Sequence, residues 1–285
     1  MTKDAAWLFA GGAMQDLIAR KIKERGMRLI LTDMNPNCHC RQYADEFIEL
    51  DTFDIASNKK RALVLKKRFN IRAVLTAAAD CHETVAEIAK MLNLPGIDPK
   101  ISHICRHKYE TRKVLTAAGI PQPKFRVVKS FSELKKAVKE IGLPVAIKAT
   151  DNSGSRGFSS VIVEELLTPV KDEIAEQSVE TLWLDGKMYW INWVDRVFRN
   201  DLKLFKDFKD SAGLYSEVNW GVEIGHINPA VHSSSLQNET ESMIKSAGIA
   251  IGMDRQKGGH ILKADIMITD KGPRIIELTP RISGG

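Results

Sequence analysis

Residues 144–160, PVAIKATDNSGSRGFSS, join an apolar strand to a loop of small residues. In the strand, residues 145–149, side chains alternate between two faces, which places Lys148 opposite Val145 and Ile147. A lysine inside an apolar strand has to reach water, an acid or an anionic ligand. The stretch therefore predicts that Lys148 takes part in ligand binding or ion pairing.

The loop after this strand, residues 152–157, combines two glycines, two serines and one arginine. Glycines let backbone N–H groups converge on one point, while Ser153 and Ser155 add hydroxyl donors and Arg156 adds a charged guanidinium group. Such a set suits a polyphosphate. The Walker pattern GxxxxGK[ST] is absent, so the loop is not a P-loop. A plain surface turn is the alternative, and the loop alone does not decide between the two.

Two acidic segments near the end of the chain, residues 263–270 and 274–281, are predicted to form a hairpin around a Lys-Gly turn. This hairpin would bring Asp265 and Glu277 side by side. Adjacent carboxylates repel each other and are stabilised by a divalent cation. The segments therefore indicate a metal pair, with two solvated strand acids as the alternative.

The first hundred residues alternate between strand-like and helix-like segments, which is typical of βαβ units around a parallel sheet. Strands are predicted at residues 7–10, 27–31, 47–50 and 73–75. One helix is predicted to end before Gly26, with Leu17, Ile18 and Ile22 facing inward, and another is predicted at residues 83–92. A second module begins near residue 105, with a helix at 107–118 and another opened by a capping box at Ser130 and Glu133. The predicted buried positions of that second helix are Phe131, Leu134, Val138 and Ile141.

A Gly11-Gly12 turn follows the first strand, and Asp33 ends the second. This arrangement invites a dinucleotide site with Asp33 as the ribose ligand. The stretch GGAMQD lacks the GxGxxG fingerprint, however. We therefore expect the turn to let a helix pack closely against a strand.

The composition is that of a globular protein: 285 residues, 44% hydrophobic and 27% charged, with a formal net charge of +6. No apolar run of about 18 residues occurs, and the start lacks a signal-peptide core, so a cytoplasmic location is expected. The positive charge suits an anionic small molecule. Because the basic run at residues 59–68 has no interleaved aromatic residues, we do not expect a nucleic acid as partner. The lack of a long apolar run argues against a membrane.

The four cysteines are expected to be reduced thiols, as is usual for cytosolic proteins. Among the stretches with cysteine, only Cys38-His39-Cys40 suggests metal binding. A structural zinc site needs four ligands, however. Ordinary thiols are the favoured interpretation. The cysteines are Cys38, Cys40, Cys81 and Cys105.

Five pieces occur in a fixed order along the chain: the GG turn, RHKYETRKVLTAAGIPQP, PVAIK, SGSRG, and finally GHILKADIMI with IIELTPRISGG. Together they resemble the ATP-grasp superfamily, in its biotin-carboxylase and carbamoyl-phosphate-synthase-like branch. The resemblance covers nearly the whole chain and implies an α/β protein. An N-terminal Rossmann-like parallel-sheet (pre-ATP-grasp) domain would occupy residues 1–104. A two-lobed α+β ATP-grasp domain would follow at residues 105–285, with a lid subdomain at roughly 121–178 and a truncated C-terminus.

The resemblance also implies roles for individual residues. Lys108 and Lys148 would contact the phosphates of ATP, and Asp265 and Glu277 would bind Mg²⁺ or Mn²⁺. Arg281 would act with Lys148 in catalysis by steadying the transferred phosphoryl group. Thr279 stands where many relatives have an asparagine that ligates the metal, and threonine is a poorer ligand. The lid loop over the β- and γ-phosphates would consist of Ser153, Gly154, Ser155, Arg156 and Gly157.

The segment between this loop and residue 185 is shorter than the resemblance requires, and two interpretations are open. In one, VEELLTPVKDEIAE is an amphipathic helix and EQSVETLW is the strand after the adenine-binding hinge. In the other, VIVEELL is the hinge strand, and Glu164 and Glu165 contact the nucleotide.

By the resemblance, the protein is an ATP-dependent, Mg²⁺-dependent ligase. It would activate a small-molecule carboxylate as an acyl-phosphate and join it to an amine, releasing ADP and phosphate. The alternative is a non-catalytic or regulatory ATP-binding member of the superfamily. The expected partners are ATP and the two small-molecule substrates, and a homodimer is a further expectation.

Overall fold

Three sheets organise the part of the chain that the structure, a computed structural model, describes: residues 4–150, 160–170, 174–198 and 223–282. The first sheet has four parallel strands in the order β3-β2-β1-β4. Its strands are β1 (Asp4–Phe9), β2 (Arg28–Asp33), β3 (Glu46–Glu49) and β4 (Asn70–Leu75), and the helices among and after them are α1 (Asp16–Glu24), α2 (Ile55–Leu65) and α3 (His82–Met91). The predicted βαβ alternation is confirmed, with strand ends that differ by a few residues.

Both faces of the parallel sheet are covered, because the two central strands are almost continuously apolar. Trp7 and Phe9 face one core, while Leu8 and Leu31 face the other. The prediction for α1 is wrong in one respect: Leu17 is 61% exposed, because the helix packs through Ile18, Ala19 and Ile22.

The Gly11-Gly12 turn has a packing role that its contacts explain. Asp33 Oδ2 accepts a hydrogen bond from the Gly11 backbone N–H at 2.6 Å, so this carboxylate closes the turn. A Cβ on Gly11 would lie 2.4 Å from the Sγ of Cys38. The close approach of these two segments therefore requires glycine.

Two helices connect the parallel sheet to the rest of the molecule: α4 (Pro99–Arg106) and α5 (Lys108–Ala117). A small antiparallel sheet follows, with the strand order β5-β7-β6 and one helix packed on it. Its elements are β5 (Phe125–Val128), α6 (Phe131–Ile141), β6 (Val145–Ala149) and β7 (Val161–Glu165).

Helix α6 begins at the predicted cap, because Ser130 Oγ accepts a hydrogen bond from the Glu133 backbone N–H at 3.2 Å. Leu134, Ala137 and Ile141 pack against the small sheet. Phe131 is 69% exposed, so its predicted burial is wrong. It occupies the first helical position, outside that apolar stripe, and the ammonium of Lys135 lies 4.7 Å from its ring centroid.

The interpretation of VEELLTPVKDEIAE as a helix is wrong. Residues 161–165 are strand β7, which hydrogen-bonds to β5 on one side and β6 on the other, and residues 166–170 have no regular structure. Pairing on both edges outweighs the helical spacing of the apolar residues. The strand predicted at EQSVETLW is confirmed as β8 (Glu176–Leu184).

The third sheet is antiparallel, with the order β10-β9-β8-β11-β12. Alternation along its strands puts Trp183, Leu262 and Leu278 on the face that packs against helix α7 (Ser234–Ile251). The opposite face carries polar side chains. The remaining strands are β9 (Lys187–Phe198), β10 (Glu223–Ile227), β11 (Gly259–Thr269) and β12 (Gly272–Thr279).

The predicted hairpin at the end of the chain is confirmed as β11 and β12. Its turn has Gly272 at φ 87°, a backbone conformation that favours glycine. None of the helices in the described ranges is both long and apolar enough to cross a bilayer.

Candidate active site

The polar face of the large sheet holds the two predicted metal ligands next to each other. Asp265 on β11 stands directly opposite Glu277 on β12. Asp265 Oδ2 accepts a hydrogen bond from Lys263 Nζ at 2.9 Å, and Glu277 Oε1 accepts one from Lys108 Nζ at 3.1 Å. Three of the residues singled out from the sequence, Lys108, Asp265 and Glu277, therefore lie in one cluster.

Several oxygens on this face are buried without a hydrogen-bond partner among the described residues: Asp265 Oδ1, Ser178 Oγ and Thr279 Oγ1. Strand alternation and register place these three side chains on the same side of the sheet as Glu277. Buried oxygens without partners are rare, because each loses its bonds to water. Oxygen donors of this kind are what Mg²⁺ and Mn²⁺ bind, so the residues present fit a divalent cation.

Lys148 projects from β6 toward a buried carboxylate on the neighbouring strand. Its Nζ donates to Glu164 Oε2 at 2.8 Å, and Arg112 Nε donates to Glu164 Oε1 at 2.7 Å. Burial alone would raise the pKa of Glu164, but hydrogen bonds and charge from Arg112 and Lys148 hold it below its ordinary value. Lys148 keeps about a third of its side chain exposed, so its ammonium can also reach a ligand.

Arg112 connects the small sheet to the large one. Its side chain is 3% exposed, and it donates to Glu164 on β7 and to the backbone oxygens of Ile275 and Ile276 on β12, at 3.0 and 2.7 Å. Helix α5 also carries Lys108, whose backbone N–H donates to Thr150 O at 3.1 Å. This contact joins the start of α5 to the end of β6 and so brings Lys108 to the strand of Lys148.

Glu165 faces away from Glu164, because successive residues of a strand point to opposite sides. Its Oε2 accepts a hydrogen bond from the backbone N–H of Lys124 at 3.2 Å, in the segment before β5. The two glutamates therefore belong to different surroundings, and only Glu164 shares a face with Lys148.

Arg281 lies just after β12 and reaches the parallel sheet. Its Nε and Nη2 donate to Asp80 Oδ1 at 2.9 and 2.7 Å. A cavity of about 330 Å³ lies here, between the end of β4 and the segment after β12. Its lining includes Thr76, Ala77, His82, His260, Pro280 and Arg281.

His82 is 4% exposed and contributes a polar atom to the wall of this cavity. Burial lowers its pKa to about 4, so the imidazole is neutral at physiological pH. Among the described residues, its Nδ1 has no hydrogen-bond partner. A neutral ring nitrogen in a cavity can donate to or accept from a polar substrate group.

The lid residues Ser153, Gly154, Ser155, Arg156 and Gly157 lie outside the described residues. The polar residues of the site that were missed in the sequence include Arg112, Asp80, His82 and Lys263. Arg112 stands one helical turn after Lys108, on the same face of α5, and this spacing is a signal for it. Asp80 and His82 follow β4 at the carboxyl edge of a parallel sheet, where α/β proteins bind ligands.

No protein-family model matches the chain. Uncharacterized protein y4rH of Sinorhizobium fredii is 28% identical over 236 residues, which are 77% of this chain and 45% of that protein. The N-terminal section of the carbamoyl phosphate synthase large chain of Aquifex aeolicus is 24% identical over 279 residues, or 93% of this chain and 49% of that protein. The chain thus spans about half the length of these relatives.

Solved structures share the fold over almost all of the chain. The L-amino acid ligase of Bacillus licheniformis has a TM-score of 0.75 at 17% identity, covering 99% of this chain and 68% of that one. The N5-carboxyaminoimidazole synthetase of Staphylococcus aureus, complexed with ADP, has a TM-score of 0.71 at 15% identity, covering 98% and 70%. The fold is that of the ATP-grasp ligases, as the sequence predicted. Among the relatives and structural neighbours that have a named activity are ATP-grasp carboxylate–amine ligases.

Proposed function

We propose that the chain binds ATP and activates a small-molecule carboxylate for ligation to an amine. The carboxylate oxygen attacks the γ-phosphorus, the bond to the β-phosphate oxygen breaks, and an acyl-phosphate and ADP result. The amine then attacks the acyl carbon and displaces phosphate, which leaves an amide and a released proton. The observation that carries this proposal is the facing pair Asp265 and Glu277. Asp265 has a buried oxygen without a partner among the described residues, and Glu277 accepts a hydrogen bond from Lys108.

Positioning and charge stabilisation would supply most of the rate in such a transfer. Lys108 and Lys148 would bind the phosphates, and Asp265 and Glu277 would hold Mg²⁺ or Mn²⁺. The bound ion would screen the triphosphate and draw electron density from the γ-phosphoryl group. Residues 153–157 retain their proposed role as the lid over the phosphates. ADP in the S. aureus synthetase supports ATP as the nucleotide.

We assign the nucleotide hinge to VIVEELL, the second interpretation of the sequence. The strand β7 lies between β5 and β6, beside Lys148, where a nucleotide bound to that lysine would pass. Glu164 would act by orienting Lys148, since its carboxylate is buried and already bound by two cations. The chain after Glu165 would offer backbone groups to the adenine.

Arg281 would steady the phosphoryl group and the acyl-phosphate at the mouth of the cavity it lines. Its guanidinium is held by Asp80, which belongs to the loop after β4. The cavity is large enough for a small organic molecule and offers the neutral His82 as a polar contact. We assign the carboxylate and amine substrates to this region.

We also propose the domain division expected from the sequence. The parallel sheet with α1 to α3 falls within residues 1–104, and the two antiparallel sheets fall within residues 105–285. The small sheet supports a lid subdomain at roughly 121–178. Arg112 would couple its position to the large sheet through the contacts described above.

The proposed reaction is tested by measuring ADP and phosphate release with Mg²⁺, ATP and pools of carboxylates, with and without pools of amines. ADP release that requires both a carboxylate and Mg²⁺ is expected. Tight ATP binding with no ADP formed in any pool would instead support the non-catalytic alternative.

Lys148→Met is expected to weaken ATP binding about tenfold or more while changing stability little, because a charge-assisted hydrogen bond to phosphate is lost. The fold is spared, since Arg112 still neutralises Glu164. The measurements are ATP affinity by calorimetry and the melting temperature of the same samples. Lys136→Met, an exposed lysine on α6 of the same lobe, is the matched control and should leave both unchanged. Equal affinities of the two variants for ATP would refute the assignment of Lys148.

A further inference from the structure

A second group of metal-ligating side chains lies outside the proposed active site, where α3 meets α4. Glu83 is in the first turn of α3, His103 is in the last turn of α4, and His107 follows that helix directly. Their donor atoms all lie within 4.8 Å of one another. The two histidines form an HxxxH pair at the end of α4, and their ring centroids lie 4.2 Å apart. This spacing was overlooked in the sequence in favour of Cys38-His39-Cys40.

We propose that Glu83, His103 and His107 form a binding site for a borderline transition-metal ion such as Zn²⁺. His103 Nδ1 lies 2.7 Å from Glu83 Oε1, and His107 Nε2 lies 3.6 Å from Glu83 Oε2. Two imidazoles and one carboxylate are the ligands of many zinc sites that keep a further position open. The site differs in kind from the oxygen-only set of Asp265 and Glu277, which favours Mg²⁺.

The exposure of the two histidines suits a metal site. The side chain of His103 is half exposed and that of His107 is 27% exposed, so an ion can enter from solvent.

Arg106 is the nearest competing cation, with Nε 3.4 Å from Glu83 Oε2. It is anchored elsewhere: Nη1 donates to Asp80 O at 3.1 Å, and the guanidinium lies 4.5 Å from the ring centroid of Phe53. It therefore leaves Glu83 Oε1 and both imidazoles available. Its positive charge should make the affinity lower than that of a closed structural zinc site.

The position of this site gives it a consequence for the proposed active site. His107 directly precedes Lys108, and Glu83 lies three residues after Asp80, the partner of Arg281. An ion bound here would fix the start of α5, which carries Lys108, to the start of α3, which lines the cavity through His82. This regulatory consequence rests on the proposed function, whereas the metal binding itself does not.

The test is titration of the full-length chain with Zn²⁺ in competition with a chromophoric chelator, without ATP, alongside Co²⁺ titration by absorption spectroscopy. One equivalent of Zn²⁺ is expected to bind. His103→Gln and Glu83→Gln should each weaken Zn²⁺ binding about tenfold or more. His39→Gln is the control, because His39 is similarly exposed and contacts Asp16 Oδ1 at 2.9 Å. His39→Gln should keep the affinity of the unaltered chain.

Unchanged Zn²⁺ affinity in His103→Gln would overturn the site, and so would intense sulfur-to-cobalt absorption, because the ion would then be bound by cysteine. The melting temperature of each variant is recorded first. Position 103 is on the surface, so glutamine there should leave the fold intact. Because no step of this test uses ATP or substrate, its result is independent of whether the ligase reaction is found.

Discussion

Replacing Asp265 by Asn and Glu277 by Gln together should abolish Mg²⁺-dependent ADP release, lowering its rate by about a hundredfold or more. Removing a single preorganised group that stabilises transition-state charge costs about that much in other enzymes. Here both anionic ligands of the proposed ion would be lost. The two substitutions keep the size of the side chains, so the packing of β11 against β12 should persist. The measurement is ADP release over a series of Mg²⁺ concentrations.

The control removes the same kind of charge from the same hairpin. Asp270 lies at the exposed turn between β11 and β12, and the control variant Asp270→Asn should leave ADP release unchanged. Asp265→Asn also takes the counter-charge from Lys263, which is 7% exposed, so some loss of stability is expected. Melting temperatures separate that effect from lost chemistry. A folded double variant with undiminished, Mg²⁺-dependent turnover would disprove the metal assignment.

Local patterns in the sequence were sufficient for much of the fold and for the acidic pair. Alternation in residues 263–270 and 274–281 and a Lys-Gly turn predict a hairpin. In a hairpin with this register, Asp265 and Glu277 must be neighbours. Lys148 was predicted by the same means, as a charged residue in an apolar strand. These inferences depend on residues close in sequence, where the geometry of one element decides the contact.

The contacts that complete the site join residues far apart in sequence, and no local pattern predicts them. The helical spacing in residues 163–176 is real, yet β5 and β6 supply hydrogen bonds on both edges of β7 and make residues 161–165 a strand. Arg281 and Asp80 are 201 positions apart and meet only because the segment after β12 returns to the parallel sheet. The Glu83, His103 and His107 cluster likewise needs the packing of α3 against α4.

Arg112→Met should produce the largest loss of stability of any substitution considered for this chain, about 3–5 kcal/mol in the free energy of unfolding. Removing one half of a buried ion pair costs about that much. Here Glu164 would keep only the partly exposed Lys148 as a cationic partner among the described residues. The side chains of Arg112 and Glu164 are 3% and 1% exposed. The backbone oxygens of Ile275 and Ile276 also lose a donor. Urea unfolding at neutral pH measures the change.

Arg126→Met is the matched control, because the ion pair of Arg126 with Glu140 is exposed on both sides. Exposed pairs of this kind contribute little, so its effect should stay within about 0.5 kcal/mol. A similar small loss in Arg112→Met would show that the buried contacts do not hold the two antiparallel sheets together.

The pH dependence of the difference in stability between the unaltered chain and Arg112→Met tests why the variant is less stable. Because the pKa of Glu164 is lowered in the folded state, the contribution of its ionised form is complete at neutral pH. That contribution decreases once the pH falls below the ordinary glutamate pKa of about 4.3, and it is lost as the pH falls through the lowered pKa of Glu164. In Arg112→Met, burial and one remaining cation should let the carboxyl take up its proton at a higher pH. The difference in stability between the two chains should therefore shrink on acidification, whereas a loss of packing alone would persist unchanged.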